Sequence, residues 1–351
     1  MDIPRSALPP GVLSLHILPA EHHDRDWDAI IVQREVKERL LSQALLVLQH
    51  GRKLSMLSGL PHGLIVLAGP PGTGKTTMAR GLAQVAALAL ARQGATALVE
   101  INPHAFPSDM LGESQRNVTR LLTETIPEIA NRRPFVIVLI DEVESFAVRR
   151  SSASFEANPV DVHRATDAVL LGVDEIAKNL PSVLFVTTTN FIEAVDEAFL
   201  SRADLVMTFS LPDRETIERI LDHALGELAV QWPALLPLAQ DRSRVSELAG
   251  LCEGWDGRRI RKLVLAALAQ RLEVARDPST LSWDDVLAAA RKKGGVEWAG
   301  GRAPTSRELF PDVPKALMHD HDHGHALHDH HHGHDHDHTQ TQRHTHTHQK
   351  E

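Results

Sequence analysis

Tyrosine is absent from the 351 residues, and aromatics make up only 4% of them. A core therefore has to be assembled from Leu, Val, Ile and Ala. The single cysteine, Cys252, excludes an internal disulfide and a thiolate zinc site, and fits a reducing cytoplasm. No apolar run approaches the roughly 18 to 20 residues that a membrane-spanning helix needs. The best candidate, Leu82 to Ala91, is interrupted by Gln84 and closed by Arg92. No basic segment followed by an apolar core opens the chain, so neither a secretion signal nor a membrane partner is expected. Net positive charge is lacking too. A formal charge of −9 argues against broad DNA binding, and no direct nucleic-acid contact is expected.

A hydrophobic share of 42% is ordinary for a globular chain, and the length suffices for two packed domains and a tail. The pattern divides into an N-terminal extension (1–26), a large α/β domain (27–212), a small helical domain (213–293), a linker (294–318) and a tail (319–351). The linker is rich in Gly and Pro and has no helical period. From His319 to His348 the chain is mostly His, Asp, Gly, Thr and Gln, with fourteen histidines, and is expected to be disordered. Imidazole and carboxylate suit Zn²⁺, Ni²⁺, Co²⁺ or Cu²⁺, but without fixed geometry the tail would hold them loosely.

Leu64 to Ala68 is a fully apolar run of the kind a buried parallel strand requires. It leads into Gly69-Pro70-Pro71-Gly72-Thr73-Gly74-Lys75-Thr76, and a helix is expected from Thr77 to Leu90. Strand, glycine-rich turn and helix are the setting of a phosphate-binding loop. Glycines let successive backbone N–H groups converge on phosphate oxygens, and the helix N-terminus adds positive potential. Lys75 is the residue expected to meet the terminal phosphates, and Thr76 to supply a hydroxyl to Mg²⁺, with Thr77 opening the helix beside them.

A second apolar strand, Phe135 to Ile140, ends in Asp141-Glu142. Ligand groups gather at the carboxyl ends of strands in open α/β sheets. Asp141 is therefore placed to hold Mg²⁺, and Glu142 to orient and polarise an attacking water. A helix is expected to start near Glu144, followed by a loop at Arg149-Arg150. A third strand, Val183 to Thr187, runs into Asn190, a polar group placed to report on the γ phosphate. Arg202, after a short amphipathic segment, is read as an arginine that reaches into a neighbouring subunit's site. Its alternative is a local ion pair with Asp204 or Asp196.

Beyond Asp213, a plausible N-cap, Ile217, Ile220, Leu221, Ala224, Leu225 and Leu228 mark one helix face. More helices follow, the last from Trp283 to about Lys293 after Ser282. Arg258, in the first turn of a helix after Gly257, is expected to touch nucleotide phosphates, while Arg259 and Lys262 are expected in solvent.

Taken together these motifs resemble the AAA+ family, and within it the pachytene-checkpoint, HORMA-remodelling branch. The likeness runs from Trp27 to about Lys293. It rests on Trp27 to Val32, Glu35 to Leu41, Gly69 to Thr76, Glu100-Ile101-Asn102, Gly112-Glu113-Ser114, Val138 to Ser145, Arg202-Ala203-Asp204, and Gly257-Arg258 with Arg261 to Leu263. The resemblance implies a P-loop αβα domain with a parallel sheet and an all-helical lid. It also implies a homo-hexameric, cytoplasmic ring using ATP and Mg²⁺ to turn a HORMA-domain partner from closed to open. Lys75, Thr76, Asp141, Glu142, Asn190, Arg202 and Arg258 match the family's nucleotide-handling positions. A substrate-gripping loop would fall at Ser108 to Gly112, with Met110 where an aromatic is usual. Only 26 residues precede Trp27, whereas eukaryotic members carry an N-terminal recognition domain, which points to a compact bacterial type linked to antiphage nucleotide signalling. Two other readings stay open: a AAA+ chaperone for another client, such as a metalloenzyme, with the tail carrying metal, and a nucleotide-gated scaffold.

Overall fold

Five consecutive apolar residues give Leu64–Ala68 no face to turn to water, and all five are buried in an interior strand of a six-stranded sheet. The computed structural model describes residues 8–9, 11–54, 56, 61–101, 113–145, 147 and 159–291. The segment Ser108 to Gly112, the Arg149-Arg150 loop, the linker and the histidine tail lie outside them.

In chain order the strands are β1 (Val12–Leu18), β2 (Leu64–Ala68), β3 (Thr96–Ile101), β4 (Phe135–Ile140), β5 (Val183–Thr189) and β6 (Leu205–Thr208). The helices of the first layer are α1 (Asp26–Ala29), α2 (Arg34–Leu54) and α3 (Lys75–Leu90). Next come α4 (Glu113–Arg120) and α5 (Ile126–Arg132), joined by a π-helical turn, then α6 (Pro159–Asn179) and the short α7 (Glu197–Leu200).

Strand order is β1-β3-β4-β5-β2-β6. Strands β2 to β6 are mutually parallel, and β1 pairs antiparallel to β3 at the edge. Alternation sends Leu64 and Val66 to one face and Ile65 and Leu67 to the other. The first face packs on Val118, Leu122, Ile126, Val169 and Val173, from α4 to α6. The second packs on Leu40 and Val47 of α2 and Met78, Leu82 and Ala86 of α3. This is the three-layer αβα arrangement expected, with an added edge strand. That strand falls in the stretch read as an N-terminal extension.

Where a helix is expected to start near Glu144, the described residues after Glu142 open with a 3₁₀ turn, Val143–Ser145, and most of the rest of that stretch lies outside the described residues. Ser145 returns to the carbonyl oxygen of Glu142 through both its N–H (3.0 Å) and its hydroxyl (2.8 Å), which closes the turn tightly.

The lid is α8 (Arg214–Gln231), α9 (Leu236–Gln240), α10 (Arg242–Leu251), α11 (Gly257–Ala267), α12 (Leu272–Arg276) and α13 (Trp283–Arg291). Asp213 caps α8 by accepting from the Thr216 N–H at 2.9 Å, and all six apolar residues named for its inner face are buried. Burial pushes the Cys252 thiol in this helical core up to about 11. No helix among the described residues is long and apolar enough to cross a membrane.

Candidate active site

The turn after β2 has a shape only glycine permits, as two of its glycines illustrate. Gly69 lies at φ 140°, and a Cβ there would fall 2.1 Å from the carbonyl oxygen of Phe209, an atom of fixed backbone. Gly72 lies at φ 80°, and its Cβ would fall 2.0 Å from Asp256 Oδ1 of the lid. Helix α3 then opens at Lys75 with Gly74 as its N-cap. Its first backbone N–H groups have no partner within the helix, which is the donor set that phosphate oxygens require.

Lys75 is only 5% exposed. Its Nζ donates to the carbonyl oxygens of Gly69 (2.7 Å) and Pro70 (2.9 Å) and to Asn190 Oδ1 (3.0 Å). Burial pushes its pKa below the usual lysine value, and Arg258 adds to that, while Glu144, Asp141 and Glu142 oppose it.

The acids at the end of β4 are knitted to β5. Thr76 Oγ1 donates to Asp141 Oδ1 at 2.7 Å, and the Thr188 hydroxyl donates to the same oxygen. Thr188 Oγ1 in turn accepts from the Glu142 N–H at 3.1 Å. Glu142 is held at φ 55°, a left-handed conformation rare for a glutamate. Asn190 Nδ2 donates to Glu142 Oε1 at 3.2 Å, so one carboxamide spans Lys75 and Glu142. The Asn190 N–H donates to Glu144 Oε1 at 3.0 Å.

Thr76 and Asp141 thus offer a hydroxyl and a carboxylate side by side, hard oxygen donors that fit Mg²⁺. The structure also brings in two residues that sequence reasoning passed over. Thr188 and Glu144 hold Asp141, Glu142 and Asn190 in place. The three threonines before Asn190 were the available signal for the first, since buried hydroxyls in an otherwise apolar strand need partners.

From the lid, the Arg258 N–H donates to the Gly72 carbonyl at 3.1 Å, and its exposed side chain lines a cleft of about 590 Å³. Ile30, Ile31 and Val32, Gly72 to Gly74 with Thr77, and Arg261 with Lys262 also line that cleft. Arg261 Nη2 also donates to the Ala29 carbonyl at 2.6 Å. Arg259 is exposed, as expected, and stacks over the Trp255 ring at 3.7 Å from its centre. The ring face attracts the guanidinium while the guanidinium covers apolar surface.

Arg202 is not brought to the cleft of its own chain. It precedes β6, at the end of the sheet opposite the phosphate loop. Neither expected local partner binds it. Asp204 accepts from the N–H groups of His62, Gly63 and Leu64, and Asp196 caps α7 through the Ala198 N–H. Arg202 instead makes a two-pronged pair with Asp174 of α6, at 2.7 and 2.8 Å, with a third bond to the Ala198 carbonyl. The pair holds Asp174 below the usual carboxylate range.

A profile of the ATPase family associated with various cellular activities (AAA) matches residues 65–211, from the phosphate-loop strand to the start of the lid. CD-NTase-associated protein 6 of Pseudomonas aeruginosa is 42% identical over 297 residues, covering 85% of this chain and 97% of that protein. The chain belongs to the AAA+ family, in its bacterial pachytene-checkpoint-type branch. Within the AAA+ family it is also 31% identical to a pachytene checkpoint protein 2 homolog of Arabidopsis thaliana, over 81% of this chain and 67% of that one. Its fold superposes on that of C. elegans PCH-2 with a TM-score of 0.64 at 25% identity, covering 81% of this chain and 75% of the other. A chain of the E. coli MS115-1 HORMA:CdnC:Trip13 complex gives 0.65 at 21% identity, over 82% and 96% of the two chains. As an ATPase-type AAA+ protein it belongs with enzymes that use a nucleotide together with Mg²⁺.

Proposed function

We propose that this AAA+ protein hydrolyses ATP as a ring of identical subunits in the cytoplasm and uses the energy to convert a HORMA-domain protein from a closed to an open state, in bacterial antiphage signalling. One observation carries most of the reading. Lys75, Asp141, Glu142 and Asn190 converge beside a glycine-built phosphate cradle, in a chain that spans 97% of a CD-NTase-associated relative. A complex containing HORMA, CdnC and Trip13 among its structural neighbours supports the choice of client.

The residues divide the chemistry as follows. Backbone N–H groups of Gly72 to Thr76 cradle the phosphates, and the Lys75 ammonium exchanges its carbonyl partners for phosphate oxygens. Thr76 and Asp141 would hold Mg²⁺, which neutralises charge on those oxygens. Glu142 accepts a hydrogen bond from the attacking water and turns its lone pair toward phosphorus. Asn190 ties the glutamate to Lys75, so its two bonds change when the terminal phosphate leaves. Arg258 binds phosphate from the lid side, which makes the lid angle sensitive to the nucleotide. Arg202 of an adjoining subunit stabilises the charge that develops in the transition state. The histidine-rich segment from His319 to His348 binds divalent transition-metal ions loosely.

Glu142→Gln, given ATP, tests the client. This variant should stall with its client engaged, and affinity capture from its native host should recover a HORMA-fold protein. Recovery of metalloenzymes without any HORMA-fold protein would overturn the assignment.

A further inference from the structure

Away from the cleft, three imidazoles meet where the edge strand turns toward α1. His16 lies on β1, and His22 and His23 lie on the 3₁₀ turn Glu21–His23. One ring nitrogen from each falls within 4.8 Å of the other two, and the His22 and His23 ring centres are 4.1 Å apart. Sequence reasoning gave these residues no role.

His23 is the informative member. It is 6% exposed, and its Nδ1 lies 2.8 Å from Asp26 Oδ2. In the neutral ring a carboxylate at that nitrogen fixes the tautomer, because Nδ1 donates and Nε2 keeps its lone pair. That Nε2 is buried and has no hydrogen-bond partner among the described residues. A buried acceptor left unpaired costs stability unless something else uses the lone pair. Carboxylate to Nδ1–H, with a buried Nε2 on a ring packed against two more imidazoles, is the arrangement that orients a histidine toward a metal ion.

The surroundings favour a cation. The imidazoles line a pocket of about 520 Å³ whose other charged groups are Asp26, Glu100 and Arg80, one positive against two negative. Arg80 is already committed to Glu100 through bonds of 2.7 and 3.0 Å. Ser14 Oγ, also buried without a partner among the described residues, lines the same pocket.

We infer that His16, His22 and His23 form a binding site for a borderline-soft divalent ion, best matched by Zn²⁺, with Asp26 orienting His23. Nitrogens around tetrahedral zinc stand about 3.4 Å apart, so the three, all within 4.8 Å of one another, must close by at most about 1.4 Å. Three nitrogens leave a fourth position for water or another donor. The ion ties edge strand β1 to the turn that leads into α1. Gln84 of α3 already grips that turn through the Ala20 N–H (3.0 Å) and Asp24 Oδ1 (2.6 Å).

The test uses the full chain without nucleotide, with free Zn²⁺ buffered at about 1 μM, and reads the thermal midpoint. His22 is exposed, so His22→Gln is the variant least able to harm the fold on its own. Zinc should raise the wild-type midpoint by at least about 3 °C, whereas Mg²⁺ should not. His22→Gln and His16→Gln should each lose most of that rise and bind one tight zinc equivalent fewer than wild type. The fourteen C-terminal histidines are identical in every variant, so their zinc uptake cancels in the comparison. An equal rise in wild type and both variants, or no rise in wild type, would overturn the site.

Discussion

Arg202 and Asp174 form a two-pronged ion pair, 2.7 and 2.8 Å long, at the end of the sheet opposite Lys75. A guanidinium fork fits a carboxylate in this way and a lysine ammonium does not. Arg202→Lys therefore separates charge from shape. Both partners are partly exposed, so the loss in stability should stay below about 1 kcal/mol. ATP turnover should nevertheless fall by about two orders of magnitude or more if the fork serves a neighbour's transition state. Chemical denaturation and steady-state turnover of the same preparation check the two halves.

Thr188 offers the sharpest test of how the acids are held. Its hydroxyl donates to Asp141 and accepts from the Glu142 N–H, and Val has nearly the same shape without either capacity. Thr188→Val should cost about 1 to 3 kcal/mol, because the Glu142 N–H and the Asp141 carboxylate each lose a partner. The Mg²⁺ concentration for half-maximal turnover should rise as Asp141 loosens. Thr188→Ser should restore both. Valine with unchanged Mg²⁺ dependence would show that Thr188 only fills space.

Glu142 combines a left-handed backbone with a functional side chain. Both Glu142→Ala and Glu142→Gly should abolish hydrolysis while leaving nucleotide binding within severalfold. The two should differ in stability. At φ 55° an alanine keeps the Cβ strain that glycine lacks, so the glycine variant should be more stable than the alanine variant by roughly 1 kcal/mol. Equal stabilities would mean that the turn carries no strain.

Arg271, with help from Ser282, holds the Asp285 carboxyl in the lid well below the usual carboxylate range. The folded chain therefore takes up this proton at a lower pH than the unfolded chain. The contribution is whole above about pH 4 and drains away as the pH falls further. Between pH 6 and pH 3 the urea midpoint should fall more steeply in wild type than in Asp285→Asn. Parallel falls would remove Asp285 from the acid response.

Much of this was legible in the residues because the decisive signals are local. β2 and β4 were read to the residue, since an all-apolar run bounded by glycine or acid admits few alternatives. β5 continued to Thr189, two residues beyond the Val183 to Thr187 read as strand, because its threonines find partners. β1, β3 and β6 were not read as strands. They are short or mix polar with apolar residues, and β1 is stable only because β3 lies beside it. Contacts fixed by tertiary approach were equally silent. Asp174 lies 28 residues from Arg202, and nothing local marks the two as partners. Trp255 and Arg259, by contrast, are i,i+4 neighbours whose stacking could have been anticipated.

Two inactive variants, mixed, test the shared site most directly. Arg202→Ala keeps an intact pocket but offers no arginine, and Lys75→Ala offers the arginine but has no working pocket. Each alone should be nearly inactive, and co-assembly at equal amounts should restore up to about a quarter of wild-type turnover per subunit through pockets of the first completed by the second. A mixture that stays at the sum of its parts, or an Arg202→Ala protein as fast as wild type, would contradict an ATP site built by two copies of this chain.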